Sequence, residues 1–168
     1  MLYENYEQVV ANVKKACERS GRNFQDITII AVSKTKPLSD VEELLSHGVM
    51  EFGENKVQEM VDKYEHVSKP VHWHLIGHLQ TNKVKYIVDK ACLIHSVDSV
   101  HLAKEIEKEA AKKGVVAKVL LEVNIAQEET KFGIREDEVY ALIDAIKDMP
   151  HVHVMGLMTV SYTHLTLP

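Results

Sequence analysis

Apolar stretches alternate with amphipathic stretches along this chain about every 20 to 24 residues, and this rhythm limits the possible folds more than any other feature. Each apolar stretch is short and rich in β-branched residues, as in strands buried on both faces, and the segment after it has helical periodicity. The pattern predicts repeated βα units around a parallel sheet. The predicted strands are the run from Ile27 to Lys34, Val49–Gly53, Val71–Ile76, Cys92–Val97, Val115–Ile125 and Val152–Val160.

Two architectures fit such repeats, an incomplete (β/α) barrel and an open doubly wound sheet. The glycine-rich phosphate loops of open sheets, G-x-G-x-x-G and G-x-x-x-x-G-K-[ST], are absent from the sequence. We therefore predict an α/β fold of the TIM-barrel type. The predicted barrel is incomplete, with about six of its eight βα units, and an extra helix over Tyr3–Arg19 precedes it. Among the helix ends, Ser39 with Glu42 has the spacing of a capping box, Ser99 is a predicted N-cap and Gly114 a predicted C-cap.

Size and charge exclude several classes of function. A chain of 168 residues, 45% of them hydrophobic, can bury a proper core, so we expect one globular domain. The net charge of −5, with no basic block, gives no support to nucleic-acid or membrane-surface binding, and no apolar run reaches the length of a membrane span. Cys17 and Cys92 are too few and too far apart for a disulfide framework, so we expect a reduced, cytoplasmic setting.

Lys34 ends the first predicted strand, in the segment AVSKTKP at residues 31–37. In α/β folds, ligands and chemistry collect outside the carboxyl ends of the strands. A lysine withdrawn from water at that position, with the cation of Lys36 two residues on and on the same side, would favour the neutral, nucleophilic amine that a Schiff base needs. The competing interpretation is a strand-end lysine that reaches into solvent.

Other polar residues also fall at or just past the ends of predicted strands: Glu54 with Asn55, His74, Asn124 and Thr159. In a barrel these ends share one face, so together they predict a polar mouth. Asn55 has a plainer explanation as a helix N-cap, and His74 as a hydrogen-bonded core residue. A metal-dependent hydrolase is an alternative because His72 and His74 share a strand face. However, no H-E-x-x-H motif or cysteine pair supplies further ligands, so we predict no metal site.

Five motifs follow one another in a fixed order along the chain. They are AVSKTKP at 31–37, FGEN-x-VQE at 52–59, WH-x-IG-x-LQ-x-NK at 73–83, KFGI at 131–134 and GLMT at 156–159. In order and spacing they resemble the motifs of the pyridoxal phosphate homeostasis proteins, a family similar to the N-terminal barrel of alanine racemase. The resemblance covers about residues 3 to 160.

This resemblance implies a barrel that binds pyridoxal 5′-phosphate (PLP). Lys34, at the family's lysine position, would hold PLP through a Schiff base. Asn55, from the G-E-N motif, would lie beside the cofactor, and His74 and Met158 match positions expected to line the pocket.

Two further lysines are hypotheses of ours, from charge alone. Lys36 could favour the neutral form of Lys34, and Lys131 could attract the phosphate dianion. The competing interpretation of Lys131 is a solvated loop residue.

The function that the resemblance implies is a role in intracellular vitamin B6 homeostasis without a known turnover reaction. PLP would be the ligand, and the partners would be apoenzymes that require PLP. The alternative is a PLP-dependent enzyme similar to an amino-acid racemase. A racemase needs a second acid/base group opposite its lysine, which a separate C-terminal domain supplies in alanine racemase.

The resemblance ends near Val160. The family continues with an S-M-G-M-S-x-D stretch and an R-x-G-x-x-I-F-G stretch, which supply its phosphate-binding amides and the arginine that faces the pyridine nitrogen, and neither is present here. We therefore expect residues 1–160 to form a partial, alanine-racemase-like PLP-binding barrel and residues 161–168, SYTHLTLP, to be a non-native tail. Because six strands cannot close an eight-stranded barrel, we also expect poor folding and weak cofactor binding.

Overall fold

Strands and helices alternate along the chain, as the rhythm of the sequence predicts. The computed structural model describes residues 1–125 and 131–159, so the predicted tail at 161–168 and the predicted strand end at Val160 lie outside the described residues. The strands are β1 Ala31–Val32, β2 Glu51–Glu54, β3 His72–Leu75, β4 Ala91–Val97, β5 Ala117–Glu122 and β6 Val152–Met158. The helices are α1 Leu2–Ser20, α2 Leu38–Ser46, α3 Val57–His66, α4 Val84–Ile87, α5 Val100–Lys113 and α6 Val139–Ile146. Short 3₁₀ turns cover Phe24–Asp26, Thr81–Lys83 and Glu136–Glu138.

The strands form one sheet, in which every pair is parallel and the order is that of the chain, from β1 to β6. A doubly wound sheet would reverse the strand order at one point, whereas a (β/α) barrel keeps it sequential. Within the described residues β1 and β6 each pair with one neighbour, so the sheet is open. The predicted fold, an incomplete TIM-type barrel with six strands, is confirmed.

The first strand is much shorter than its apolar run predicts. Only Ala31 and Val32 pair with β2, opposite Phe52 and Gly53. β2 itself begins at Glu51, and no strand pairs with the other side of β1 in the described sheet, so most of the run has no ladder partner. The apolar pattern identifies a strand, but its length depends on neighbours that the pattern does not contain.

The hydrophobic core lies between the sheet and the helices. Phe52 of β2 and Trp73 of β3 are buried, with ring centroids 5.9 Å apart. Met60 of α3 and Ile106 of α5 are fully buried in the same cluster, because each helix directs one apolar stripe at the sheet. In the described part of the chain, none of the helices combines the length and apolar composition that crossing a membrane requires.

The predicted ends of α5 are confirmed. The Ser99 hydroxyl accepts a hydrogen bond from the Leu102 N–H at 3.1 Å, and Gly114 ends the helix with a left-handed φ of 65°. The predicted capping box at Ser39 is wrong: α2 already begins at Leu38, and no side chain caps it.

Candidate functional site

Lys34 lies in a tight turn directly after β1. The Ser33 N–H donates to the Gly53 carbonyl at 3.0 Å and extends the ladder, and the Lys36 N–H then donates to the Ser33 carbonyl at 3.0 Å. This second bond closes a four-residue turn, in which Thr35 has a φ of 63°, a left-handed conformation that β-branched residues rarely adopt. The sequence predicts that Lys36 lies on the same side as Lys34, because side chains alternate along a strand. Lys34 and Lys36 lie in a turn, so this alternation does not apply to them.

The Lys34 side chain is exposed. The sequence predicts a lysine withdrawn from water, and this is wrong for the described chain, because β1 is at the edge of the sheet and no strand covers its far side. The competing interpretation, a strand-end lysine that reaches into solvent, describes the surroundings of Lys34 correctly. Exposure also leaves the amine accessible to a small molecule.

Strand register relates Lys34 to two other predicted site residues. Val32 pairs with Gly53, and Gly53 pairs with His74, so the three lie side by side on one face of the sheet. Lys34 and Asn55 lie two residues beyond Val32 and Gly53, in the loops that follow β1 and β2. His74 thus lies on β3, and Lys34 and Asn55 lie directly after the two strands that precede β3 in the sheet.

Asn55 is exposed beside a close contact between two loops. Gly77, in the loop after β3, is buried against it. A Cβ atom built on Gly77 would lie 2.3 Å from the carbonyl oxygen of Asn55 and 2.8 Å from its Oδ1. Only glycine allows this approach, so Gly77 determines where the backbone and the amide of Asn55 can lie.

His74 is buried between Glu51 and His95. Its Nε2 lies 2.7 Å from Oε2 of Glu51, and its Nδ1 lies 2.9 Å from Nε2 of His95. Burial, and secondly the neighbouring His74, lower the pKa of His95 to about 4, so His95 is neutral at neutral pH. Burial opposes ionisation of Glu51, but hydrogen bonds with His72 and His74 outweigh it and hold the pKa of Glu51 below its usual range. Both ring nitrogens of His74 are thus occupied, as its interpretation as a core residue predicts.

One group of metal-ligating side chains occurs among residues 1–125 and 131–159. Glu51, His74 and Cys92 bring one ligand atom each within 4.8 Å of one another. Burial, with the Glu51 carboxylate, raises the pKa of Cys92 to about 11, which keeps the thiol protonated. His72, the predicted partner of His74 in a metal site, bonds to the second oxygen of Glu51 at 2.5 Å. Because the carboxylate and the imidazole already have hydrogen-bond partners, this group is satisfied without an ion, and we assign no metal to it.

Lys131 lies in the loop after β5, of which residues 126–130 are outside the described part. Its side chain is exposed, and its carbonyl accepts a hydrogen bond from Nδ2 of Asn124 at 3.4 Å. The next residue, Phe132, stacks on the ring of His78 with centroids 3.8 Å apart. Lys131 therefore lies where the loops after β3 and β5 meet, on the carboxyl side of the sheet.

Met158 and Thr159 end β6, at the opposite edge of the sheet from Lys34. Met158 is half-buried and pairs with Glu122, and Thr159 is exposed. Burial, together with the Asp98 carboxylate, raises the pKa of Glu122 to about 7, and its Oε2 is buried without a hydrogen-bond partner in the described chain. In the order of the sheet, Met158 is thus three strands away from His74.

Three charged residues near Lys34 form a group that was not predicted, although Glu54 was named among the polar residues at strand ends. Lys63 is buried, and its Nζ bonds to Glu54 at 2.7 Å and to Glu59 at 2.9 Å. The spacing of Glu59 and Lys63 is a readable signal for an ion pair on α3. Such pairs are usually solvated, however, and the sequence spacing does not reveal that this one is buried against the turn after β1.

Comparison with known proteins adds an independent observation. The family described as alanine racemase, N-terminal domain, matches residues 5–164. The pyridoxal phosphate homeostasis protein of Aquifex aeolicus is 43% identical over 158 residues, which cover 94% of this chain and 69% of that protein. The protein of the same name from Pseudomonas aeruginosa is 34% identical over 160 residues, covering 95% of this chain and 70% of that protein.

Solved structures agree with this similarity. PipY of Synechococcus elongatus, solved with PLP bound, is 31% identical with a TM-score of 0.77, covering 94% of this chain and 73% of PipY. A protein from Bifidobacterium adolescentis is 28% identical with a TM-score of 0.89, covering 96% of this chain and 70% of that protein. Alanine racemase from Clostridium difficile, at 17% identity and a TM-score of 0.71, covers 93% of this chain and 40% of the racemase, and is similar in fold alone.

Proposed function

The chain belongs to the family of pyridoxal phosphate homeostasis proteins, and from this we propose that it binds PLP through a Schiff base on Lys34 and takes part in intracellular vitamin B6 homeostasis. The observation that carries the proposal is the position of Lys34, an exposed amine in the turn at the carboxyl end of a parallel strand, next to the strand that Asn55 follows. The PLP bound to the similar protein PipY supports PLP as the ligand.

The side chains at this end of the sheet fit a flat pyridine ring that carries an aldehyde. The Lys34 amine is accessible, and the exposed Asn55 amide after the neighbouring strand offers both a donor and an acceptor. The close contact at Gly77 positions that amide. His74 would contribute ring surface, since its nitrogens already bond to Glu51 and His95.

PLP would supply the electrophile for covalent attachment: the Lys34 amine would add to the aldehyde carbon, a C=N bond would form, and the aldehyde oxygen would leave as water with two hydrogens of the amine. Met158, Lys36 and Lys131 remain proposed contacts, the last two as cations for the phosphate end. We propose residues 1–160 as the PLP-binding unit and cytoplasmic PLP-requiring apoenzymes as the proteins it serves.

Borohydride reduction followed by peptide mass spectrometry tests the assignment of Lys34. Reduction of the PLP-treated chain should leave a pyridoxyl group on the peptide that contains Lys34, and Lys34→Ala should abolish it. Lys131→Ala and Lys36→Ala should keep the adduct and weaken PLP affinity by a few fold, as expected for loss of one partly screened charge. A wild-type chain without an adduct at Lys34 contradicts the proposal, and unchanged affinity in Lys131→Ala means that Lys131 is only a solvated loop residue.

We propose that no turnover accompanies this binding, and one observation favours the alternative of a racemase-like enzyme. Glu122 is a buried carboxyl whose pKa is raised to about 7, which suits a group that moves a proton. Incubating the PLP-treated chain with L-alanine in deuterium oxide, and following the Cα proton by NMR, separates the two. We expect exchange no faster than with free PLP, whereas faster exchange that Glu122→Gln removes would establish the enzyme.

A further inference from the structure

A buried group of three charged side chains lies under the turn that carries Lys34. We call it the Lys63 network, and it consists of Glu54 on β2 with Glu59 and Lys63 on α3. The Lys63 ammonium uses its three N–H groups on Oε1 of Glu54 at 2.7 Å, Oε1 of Glu59 at 2.9 Å and the Ser33 carbonyl at 2.8 Å. Each donor of the ammonium is thus matched to an acceptor.

The network also holds the residues on both sides of Lys34. The Ser33 hydroxyl donates to the Glu54 oxygen at 2.6 Å, in addition to the bond that the Ser33 carbonyl accepts from the network. On the other side, the Thr35 N–H donates to the Glu59 oxygen at 2.6 Å. The backbone immediately before and after Lys34 is therefore attached to the same three side chains.

Stability alone is a poor explanation for this arrangement. Lys63 is 4% exposed and Glu54 is fully buried, and removing both charges from water opposes much of their attraction. Apolar side chains of the same shape would often stabilise a fold as well. Thr35 is moreover held at a φ of 63°, a conformation that persists only where the surroundings enforce it and that is concentrated at functional sites. A network that dictates the geometry of one turn accounts for both observations.

We propose that the Lys63 network is a positioning device for Lys34, which fixes the turn and thereby directs the amine toward the aldehyde of PLP. This inference depends on the function proposed above for Lys34. Lys63 does not touch PLP in this proposal, so it is a positioning residue. Its loss should therefore affect covalent attachment more than the non-covalent contacts of the cofactor.

Two ligands separate these effects. PLP can attach to Lys34, whereas pyridoxamine 5′-phosphate carries an amine in place of the aldehyde and can bind only non-covalently. The quantity to measure is the affinity ratio, the affinity for PLP divided by the affinity for pyridoxamine 5′-phosphate. In Lys63→Met this ratio should fall about tenfold, because a misplaced amine reacts less readily. Pyridoxamine 5′-phosphate affinity should stay unchanged. Lys63→Arg keeps the charge and the donors, and should restore most of the ratio.

Lys113→Met is a matched control. Lys113 also ties two elements together, with Nζ 2.6 Å from both the Lys85 carbonyl and Oδ1 of Asp89, but it lies on α5. Its removal should leave the ratio at the wild-type value. If Lys63→Met does not fold, Glu59→Ala removes the acceptor of the Thr35 N–H from a partly exposed position and should lower the ratio as well.

Two outcomes would overturn the inference: an unchanged ratio in the folded variants, or an equal loss of affinity for both ligands, which indicates structural damage only. Borohydride reduction of the wild-type chain is the parallel measurement. If no pyridoxyl group is found on Lys34, the function proposed for Lys34 fails. If the adduct forms in the wild type and the ratio does not respond, only the positioning role fails.

Discussion

Two buried titratable residues of the sheet, His95 and Glu122, should affect stability in opposite directions as the pH changes. The pKa of His95 is lowered from 6.5 to about 4 by burial and by His74, so its contribution to stability is complete above pH 6.5 and is lost as the pH falls toward 4. The pKa of Glu122 is raised from 4.5 to about 7 by burial and by Asp98. Its contribution is therefore complete below pH 4.5 and is lost as the pH rises through 7.

Because the two windows overlap, the wild-type chain should show a flatter pH profile of stability than either single variant. Glu122→Gln should match the wild type near pH 4 and exceed it at pH 8 by about 2 to 3 kcal/mol, because the amide avoids a buried charge. His95→Asn should gain stability relative to the wild type as the pH falls below 6.5. Urea unfolding at a series of pH values measures both differences.

His101→Asn controls for general effects of histidine replacement, since His101 is exposed on α5. If the free energies of unfolding of Glu122→Gln and the wild type differ by the same amount from pH 5 to pH 8, the raised pKa of Glu122 is contradicted.

Single residues were predictable from sequence where a strand end determines their position. Lys34 and Asn55 directly follow neighbouring strands because each comes at the end of an apolar run, and His74 lies on the next strand. The bond from Lys63 to the Ser33 carbonyl and the left-handed φ of Thr35 were not predictable, because both arise from the packing of α3 against the turn after β1. No local pattern encodes that contact.

At the scale of elements, the loops after β2 and β3 form one unit through Gly77. A methyl group added there would collide with the Asn55 carbonyl oxygen at 2.3 Å, so Gly77→Ala must displace backbone. We expect Gly77→Ala to lower the free energy of unfolding by about 1 to 3 kcal/mol, the range for overpacking. It should also weaken PLP binding, because Asn55 moves. Urea unfolding and PLP titration measure the two effects.

Gly156→Ala is the matched control for Gly77→Ala. Its added Cβ would meet only Cδ2 of Leu120 at 3.7 Å, an ordinary contact, and its backbone is extended in β6. The free energy of unfolding should change by less than about 1 kcal/mol, and in the stabilising direction. An equal loss in both alanine variants would show that the contact at Asn55 is not what makes Gly77 necessary.

Helix ends show how far element boundaries follow from sequence. Ser99 caps α5 as predicted because its hydroxyl needs only the N–H of Leu102, three residues along the same chain. The predicted box of Ser39 and Glu42 fails because Glu42 instead accepts from the N–H of Ser68 at 2.6 Å. A partner 26 residues away competes with the local one, and the local spacing cannot reveal it.

At the scale of the whole molecule, the strand order was predictable because each helix connects consecutive parallel strands. The rhythm of the sequence does not determine how each strand is flanked. The shortness of β1 and the exposure of Lys34 both follow from its place at the sheet edge, which is a property of the assembled sheet.

The two open edges of the described sheet should make this chain self-associate. On β6, Met155 is 52% and Leu157 60% exposed, and an exposed strand edge with apolar side chains is a template for pairing with another chain. We expect sedimentation velocity to show an average mass that rises with concentration in the micromolar range. Leu157→Lys should return the chain toward the monomer, since an edge lysine opposes strand pairing. Tyr140→Lys is the control, because Tyr140 is 81% exposed but lies on helix α6 and not on a strand. A monomer at all concentrations, or an equal effect of the two lysines, would mean that the edge of β6 does not drive association.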